Sequence, residues 1–346
     1  MKLGLILSHT GPMGLWTPGC EASAILATAE LNAAGGVFGR EVELVPANAG
    51  TTPESAARAA RRLSAEQGVD AVIGMQPSNL RPAVRQGLGG NVPYIYTCQY
   101  EGGYCGPGTV ATGITDWEVL GPGIGWLAEQ RGARRFFFVG NDYIWPRVAH
   151  GTAEAAVTEA GGRMVGDALL PFGERDYSYV LDQIRAIRPD VVITVLLGEE
   201  AVAFNRAFGE SGMARNMLRL SLAFDESLLW GVAPENAENL YAVHTYFDSL
   251  RSQGREKMVA AYERGFGNTR PPVNVYSLGC YDGVHLAAAL ARSVGRVHGG
   301  EMARLTSNRF GRADAMAMLG LPGARRRPPI HIAEADGTEF VVRATV

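Results

Sequence analysis

Three loops collect the side chains with most to offer a small ligand. Gly74-Met75-Gln76-Pro77-Ser78-Asn79 follows a short apolar run and leads into a helical pattern. Ser78 and Asn79 therefore stand where a helix start also points free backbone N–H groups outward, which suits a carboxylate or amide oxygen. The same two residues are equally good helix caps. Tyr94-Ile95-Tyr96-Thr97-Cys98-Gln99-Tyr100-Glu101-Gly102 holds three tyrosines within seven residues, more than a strand end needs. Tyrosine supplies an apolar wall with a hydroxyl at its tip. Gly140-Asn141-Asp142-Tyr143-Ile144-Trp145-Pro146-Arg147 sets two aromatics just ahead of a helix, with Pro146 expected at its first position. Tyr143 and Trp145 then either wall a pocket together or divide, one of them packing under the loop.

Catalytic signatures are missing from the same sequence. There is no Gly-x-x-x-x-Gly-Lys-Ser/Thr and no Gly-x-Ser-x-Gly, so His298-Gly299-Gly300 has no nucleophile to assist. There is no His-Glu-x-x-His and no Cys-x-x-Cys, and the six histidines are dispersed. A binding protein without metal or cofactor is the expectation. Cys98 and Cys105 share a Gly-rich loop and leave two outcomes open, a small disulfide after export or two thiols in the cytosol. Cys20 and Cys280 read as small buried hydrophobes.

The elements that must position these loops alternate along the chain. Short apolar runs at 2–8, 41–46, 71–74, 94–97, 136–140, 190–195, 219–221 and 240–244 read as strands of a parallel sheet covered on both faces. Helical patterns fall at 19–33, 53–66, 116–130, 146–160, 178–186 and 200–210. Gly68 is placed to end one of them before the next strand. Strand–helix–strand repeats of this kind build a doubly wound α/β fold, whose ligand edge lies at the carboxyl ends of the strands. Two such sets are visible, 1–113 and 114–243. Helices return at 253–266 and 276–294, and a closing hairpin turns at Asp336-Gly337 between 330–333 and 339–343. The Gly- and Arg-rich stretch 290–328 reads as loops and a connection.

Length and composition agree with two domains. The chain has 346 residues, 47% hydrophobic and 19% charged, with a formal net charge of −3, which excludes a disordered chain and disfavours nucleic acid as a partner. Of 32 basic residues only Lys2 and Lys257 are lysines, a bias better assigned to coding than to chemistry. No run approaches the roughly 18 apolar residues of a membrane span. Residues 1–8 fit a buried first strand better than a signal peptide.

Four runs carry a family resemblance: Leu31-Asn32-Ala33-Ala34-Gly35-Gly36-Val37-Phe38-Gly39-Arg40, Tyr100-Glu101-Gly102, Asn141 to Arg147, and Tyr246-Phe247. In this order, over at least residues 2–290, the chain resembles the type I periplasmic-binding-protein family. The branch is that of branched-chain amino-acid, amide and urea receptors, and the nearest likeness is to amide sensors of aliphatic amidase operons and to urea or short-chain-amide receptors. The resemblance implies two doubly wound α/β lobes, joined by three hinge crossings, that close over one small ligand. The crossings are expected near Ala111–Gly113, near Val243–Tyr246 and around Arg327. Lobe 1 is then 1–113 with 246–327, and lobe 2 is 114–245 with 328–346.

Carried over residue by residue, the resemblance has Ser78 hold the ligand's polar end and Tyr96 line the site. Tyr143 covers the ligand from the second lobe, with Trp145 nearby. Further contacts are implied from Leu197-Gly198-Glu199, Phe224-Asp225 and Tyr246. The sequence also departs from the amide sensors. Gln76 stands in place of a tyrosine, Cys98 in place of a ligand-contacting threonine, and Ala223 or Phe224 in place of another threonine. With two hydroxyls lost and Glu199 and Asp225 gained, a carboxylate facing the ligand would pair with an ammonium. The competing reading has Glu199 and Glu200 opening a helix and favouring its dipole.

The expectation is a non-catalytic solute-binding protein for an amide, urea or amino acid, serving an ABC transporter with its permease as partner. The alternative is a cytoplasmic amide-sensing regulator acting through a protein partner. The first is periplasmic or extracellular after removal of a leader; the second is cytoplasmic if Met1 is the native start.

Overall fold

A computed structural model describes residues 1–250, 255–307, 310–321 and 328–346. The first passage of chain contains β1 (Lys2–Leu7), α1 (Thr17–Ala33), β2 (Glu43–Asn48), α2 (Pro53–Arg61), β3 (Ala71–Met75), α3 (Arg81–Leu88), β4 (Tyr94–Tyr96) and β5 (Thr109–Ala111). The second contains α4 (Asp116–Gln130), β6 (Arg135–Asn141), α5 (Ile144–Glu159), β7 (Arg163–Leu170), α6 (Ser178–Ile187), β8 (Val191–Val195), α7 (Gly198–Glu210), β9 (Leu218–Ser221), α8 (Glu226–Leu229) and β10 (Leu240–His244). The last contains α9 (Glu256–Phe266), α10 (Val275–Val294), α11 (Gly299–Leu305), α12 (Arg312–Met318), β11 (His331–Asp336) and β12 (Glu339–Thr345).

Two compact units result. The first comprises Met1–Gln99, Gly103–Gly113 and Arg251–Pro328; the second comprises Tyr100–Gly102, Ile114–Leu250 and Pro329–Val346. Residues 246–250 thus fall in the second unit. The reason is local: a short 3-10 turn, Asp248–Leu250, is tied to β12 by Ser249 Oγ donating to the Phe340 carbonyl at 2.6 Å. The crossing expected around Arg327 lies outside the described residues.

The first unit is built on a parallel sheet in the order β2-β1-β3-β4-β5. β1 and β3 are almost wholly buried, as central strands covered on both faces should be. One cover is α10, whose start is fixed by Asn274 Oδ1 accepting from the backbone of Tyr276 and Ser277 at 3.0 and 2.9 Å. α10 packs along α1, with Trp16 stacked on Tyr276 at 4.8 Å, and Gly283 lets it lie close over Ile73 of β3.

The Asn-x-x-Gly-Gly-Val-x-Gly-Arg run is a structural corner after α1. Gly36 N–H donates to the Leu31 carbonyl at 2.8 Å, while the Asn32 side chain bonds both backbone groups of Val42 at 2.7 and 2.9 Å. Gly36 has φ +75°, and a Cβ there would sit 1.9 Å from the Arg40 carbonyl oxygen. Gly36→Ala therefore meets both a disfavoured backbone conformation and a rigid clash. We expect it to lower the urea midpoint by an amount equivalent to about 2 kcal/mol or more, because strain of each kind costs on the order of 1–3 kcal/mol.

The second unit carries a seven-stranded sheet in the order β12-β11-β10-β9-β8-β6-β7. Its strands run parallel from β7 to β10, and the closing hairpin adds β11 and β12 antiparallel at the other edge. β8 and β10 are fully buried, and β7 at the edge is half-exposed. No helix among the described residues is long and apolar enough to cross a membrane.

Candidate functional site

The first unit gathers its polar groups where β3 and β4 end. Gln76, fully buried after β3, is the centre of the cluster. Its side-chain amide donates to Tyr94 OH, while its backbone carbonyl accepts from Tyr96 OH at 3.0 Å and from the Cys98 thiol at 3.4 Å. Ser78 opens a 3-10 turn that leads into α3, and its Oγ lies 3.4 Å from Tyr96 OH. The Arg81 guanidinium sits over the Tyr96 ring, 4.9 Å from its centroid, a cation–π contact.

Burial decides the protonation of these groups. It pushes the Tyr94 and Tyr96 hydroxyls well above the usual tyrosine range, with the neighbouring Cys98 adding to the shift. It also pushes the Cys98 thiol up to about 12, so this thiol is neutral and a poor nucleophile. Ser78, Tyr96 and Cys98 are thus brought together as neutral donors beside one arginine. The side-chain oxygens of Gln76 and Asn79 are buried with no hydrogen-bond partner among the described residues. Cys98 and Cys105 are not joined; both are thiols, as are Cys20 and Cys280.

The second unit places its candidates where β6 to β10 end. Tyr143 is the residue before α5, so Pro146 occupies the third helical position rather than the first. A proline there still lacks only an N–H that the first turn cannot pair. The Tyr143 ring lies 5.0 Å from Phe172 and 6.3 Å from Trp145. Trp145 is buried, its indole N–H donating to Asp116 Oδ1 at 2.9 Å, so this ring packs under the loop.

Glu199 and Glu200 occupy the first turn of α7, directly after Gly198 with φ +51°. Glu199 points outward and pairs with Arg175 at 3.3 Å. Glu200 is the buried one. Its Oε1 accepts the Gly173 N–H at 2.8 Å, and its other oxygen accepts from the Asn141 side chain. Asn141 Oδ1 in turn accepts the Leu197 N–H at 3.0 Å.

Asp225 is fully buried and caps α8, its Oδ1 accepting the Ser227 N–H at 2.8 Å. The next residue, which sequence reasoning missed, is chemically sharper. Glu226 accepts the Asp248 N–H at 3.0 Å through Oε1, and its other carboxyl oxygen has no partner among the described residues. Burial, reinforced by Asp225, pushes its pKa up to about 8. Tyr246 is buried nearby in sequence, after β10. Phe172 and Arg81 were missed as well; only an isolated aromatic in a Pro-Phe-Gly turn and a basic residue after Ser78 marked them. Among the described residues no group of histidine, cysteine and carboxylate side chains could hold a metal ion.

Comparison with known proteins gives this arrangement a setting. The sequence profile described as "Periplasmic binding protein" matches residues 1–328. The chain is 25% identical over 307 residues to a "Leu/Ile/Val-binding protein homolog 6" of Brucella melitensis, covering 85% of this chain and 76% of that protein. Among solved structures it is similar to the branched-chain amino acid transporter substrate binding protein LivJ of Streptococcus pneumoniae in complex with isoleucine. That match has a TM-score of 0.79 at 20% identity and covers 100% of this chain and 98% of the other. A solute binding protein of an ABC transporter from R. palustris, in complex with 4-hydroxybenzoate, superposes with a TM-score of 0.82 at 18% identity, covering 100% and 96%.

Proposed function

The chain belongs to the periplasmic binding protein family, and from that premise we propose that it is the solute-binding component of an ABC transporter, taking a small organic acid or amino acid and delivering it unchanged to a membrane permease. The observation that carries the reading is the group at the end of β3 and β4. There the Ser78 hydroxyl, at the turn that leads into α3, lies beside the Tyr96 ring and the Arg81 guanidinium over it, while the Tyr96 and Cys98 hydrogens are held by the Gln76 carbonyl. A hydroxyl beside a guanidinium favours a carboxylate, which accepts from the first and is attracted by the second. None of these groups is an activated nucleophile, so binding without turnover follows.

The relatives support an organic acid as cargo: one is described with isoleucine and one with 4-hydroxybenzoate. A short amide or urea is the second reading. It is favoured by the buried, unpartnered carbonyl oxygens of Gln76 and Asn79, which an amide N–H would satisfy.

A thermal-shift panel of leucine, phenylalanine, benzoate, 4-hydroxybenzoate, acetamide and urea separates these readings. A ligand present at a hundred times its Kd stabilises the native protein by about 2.7 kcal/mol, which raises Tm by about 4 °C for a chain of this length. We expect that shift from at least one of the four acids. We also expect Ser78→Ala and Tyr143→Ala each to weaken binding about tenfold or more, since each removes a buried polar or aromatic contact worth on the order of 1.4 kcal/mol. No shift with any of the six compounds defeats the proposal, and a shift with the amides alone selects the second reading.

A further inference from the structure

We infer that Phe172 is a specificity-determining residue that selects a ligand carrying a planar ring, and that Asn141 and Glu200 are the positioning residues that hold it in place. The inference rests on the solute-binding reading above and names the ligand class for its second unit. Phe172 is 40% exposed, so part of its side chain is open to a ligand. It follows β7 in the turn Pro171-Phe172-Gly173-Glu174, closed by the Glu174 N–H donating to the Pro171 carbonyl at 3.3 Å. Its ring lies 5.0 Å from that of Tyr143, with 38° between the planes. Tyr143 in turn leans on Trp145, which Asp116 anchors. The three rings form a graded wall at the carboxyl edge of the sheet, buried at Trp145 and open at Phe172. That edge is where open α/β sheets take their ligands.

The loop is not left to find this position by itself. Gly173, adjacent to Phe172, donates its N–H to Glu200 Oε1 at 2.8 Å. The Asn141 side chain donates to the other Glu200 oxygen and accepts the Leu197 N–H at 3.0 Å. Tyr177 OH donates to the Glu174 carbonyl at 3.1 Å on the far side of the turn. One buried carboxylate thereby ties the ends of β6, β7 and β8 together. Burying a carboxylate is costly, and helix α7 has no need of it, since Glu199 already supplies a negative charge to its first turn. What the buried group does hold is the loop that carries Phe172. A ring fixed in advance loses little freedom when a ligand stacks on it.

The choice of a planar ring follows from the quadrupole of the wall. Aromatic pairs gain stabilisation beyond the area they bury, equivalent to about three- to tenfold in affinity, and a saturated ring of the same size does not share it. Calorimetric titration with benzoate and with cyclohexanecarboxylate, which match in charge and nearly in size, reads this difference directly.

The wild-type protein is expected to prefer benzoate by about three- to tenfold. Phe172→Ala and Phe172→Leu, both at an exposed position, should collapse that preference to about unity. Glu200→Gln, checked for folding by its melting curve, should speed hydrogen exchange at the Gly173 amide and reduce the same preference. The double variant Phe172→Ala/Glu200→Gln should then discriminate no worse than Phe172→Ala alone, because both changes remove one wall.

Equal affinity for the two acids in the wild type, or a preference that survives in Phe172→Leu, overturns the inference. Losses that add in the double variant overturn the positioning role of Glu200. If leucine binds and neither cyclic acid does, the ring specificity falls while the solute-binding reading stands. If no acid, amino acid or amide binds, the solute-binding reading itself falls.

Discussion

Replacing Arg219 with alanine is expected to destabilise the second unit by about 3–5 kcal/mol, the cost of leaving buried acceptors without a donor and opening a cavity. Arg219 lies on β9 with no solvent exposure. Its guanidinium donates to the Asn205 carbonyl at 2.9 Å, to Asn205 Oδ1 at 3.1 Å, and to the carbonyls of Asn236 and Glu238, both at 2.7 Å. It also stacks on the Phe208 ring at 4.9 Å. Burial lowers its pKa to about 9, so the group is still charged at neutral pH and its bonds are charge-assisted. One side chain thus joins the middle of α7 to the loop before β10.

Truncation would take a donor from the buried oxygens of Asn205 and Asn236 and from the part-buried Glu238 carbonyl, and leave a cavity beneath Phe208. Lysine is a poor substitute, since a compact ammonium cannot spread its donors over partners that the planar fork reaches on two sides. Arg219→Lys should recover less than half of the loss. Urea unfolding checks both variants, and a loss under about 1 kcal/mol in Arg219→Ala would show that water replaces the guanidinium without penalty. The effect reaches the carboxyl edge of the sheet, because β9 leads into the segment that holds Asp225 and Glu226.

The order of elements was legible because a parallel strand buried on both faces has to be a short apolar run, as in Val191–Val195. β7 was not, and its composition explains why. It is an edge strand, and Arg163, Gly166 and Asp167 interrupt the apolar run that marked its neighbours. β5 is only three residues long after a glycine-rich loop, too short to show a period.

At the site, the sequence indicates which loops matter more readily than which atoms do. Adjacent carboxylates on a helix point about 100° apart, so nothing in the string Gly198-Glu199-Glu200 says that the second is buried and the first exposed. Asp225 and Glu226 pose the same problem: one caps a helix, the other holds the unpartnered oxygen.

The run from Asp142 to Arg147 lies in one of the four runs that carry the resemblance to amide and urea receptors. In the structure most of it serves the start of α5. Asp142 pairs with Arg147 at 2.5 Å, Trp145 bonds Asp116, and the Tyr143 carbonyl accepts the Arg147 N–H at 3.2 Å, while the Tyr143 ring lies against Phe172. A motif that builds a helix start can be shared among proteins with different cargo. The residue stacked on Tyr143 is Phe172, far away in sequence and visible only after folding.

Glu226 should make the protein less stable as pH rises. The residue is 3% exposed, and its pKa moves from the ordinary value of 4.5 to about 8, first through burial and then through Asp225, with Asp248 adding to the shift. The folded protein therefore holds this proton more tightly than the unfolded chain does. The stabilisation from the neutral acid is complete below about pH 4.5 and is lost as pH rises through about 8. A shift of that size corresponds to on the order of 5 kcal/mol across the window. Glu226→Gln keeps an acceptor for the Asp248 N–H and mimics the neutral acid. It is expected to match the wild type near pH 4.5 and to exceed it by several kcal/mol, on the order given above, near pH 8.

His244 works in the opposite sense. Burial lowers its pKa from 6.5 to about 4, so its contribution is present above pH 6.5 and lost as pH falls through about 4. Urea unfolding of the wild type and of Glu226→Gln from pH 4 to 9 separates the two, because only the alkaline fall should vanish in the variant. Parallel curves would mean that Glu226 ionises freely in the folded state. The same proton also distinguishes the ligand classes. An amino-acid ammonium placed against Glu226 would draw the carboxyl to its ionised form and release close to one proton per ligand at pH 7, whereas benzoate would leave that proton in place. Calorimetry in two buffers of different ionisation enthalpy reads the release directly, and it does so whichever ring or chain the ligand carries.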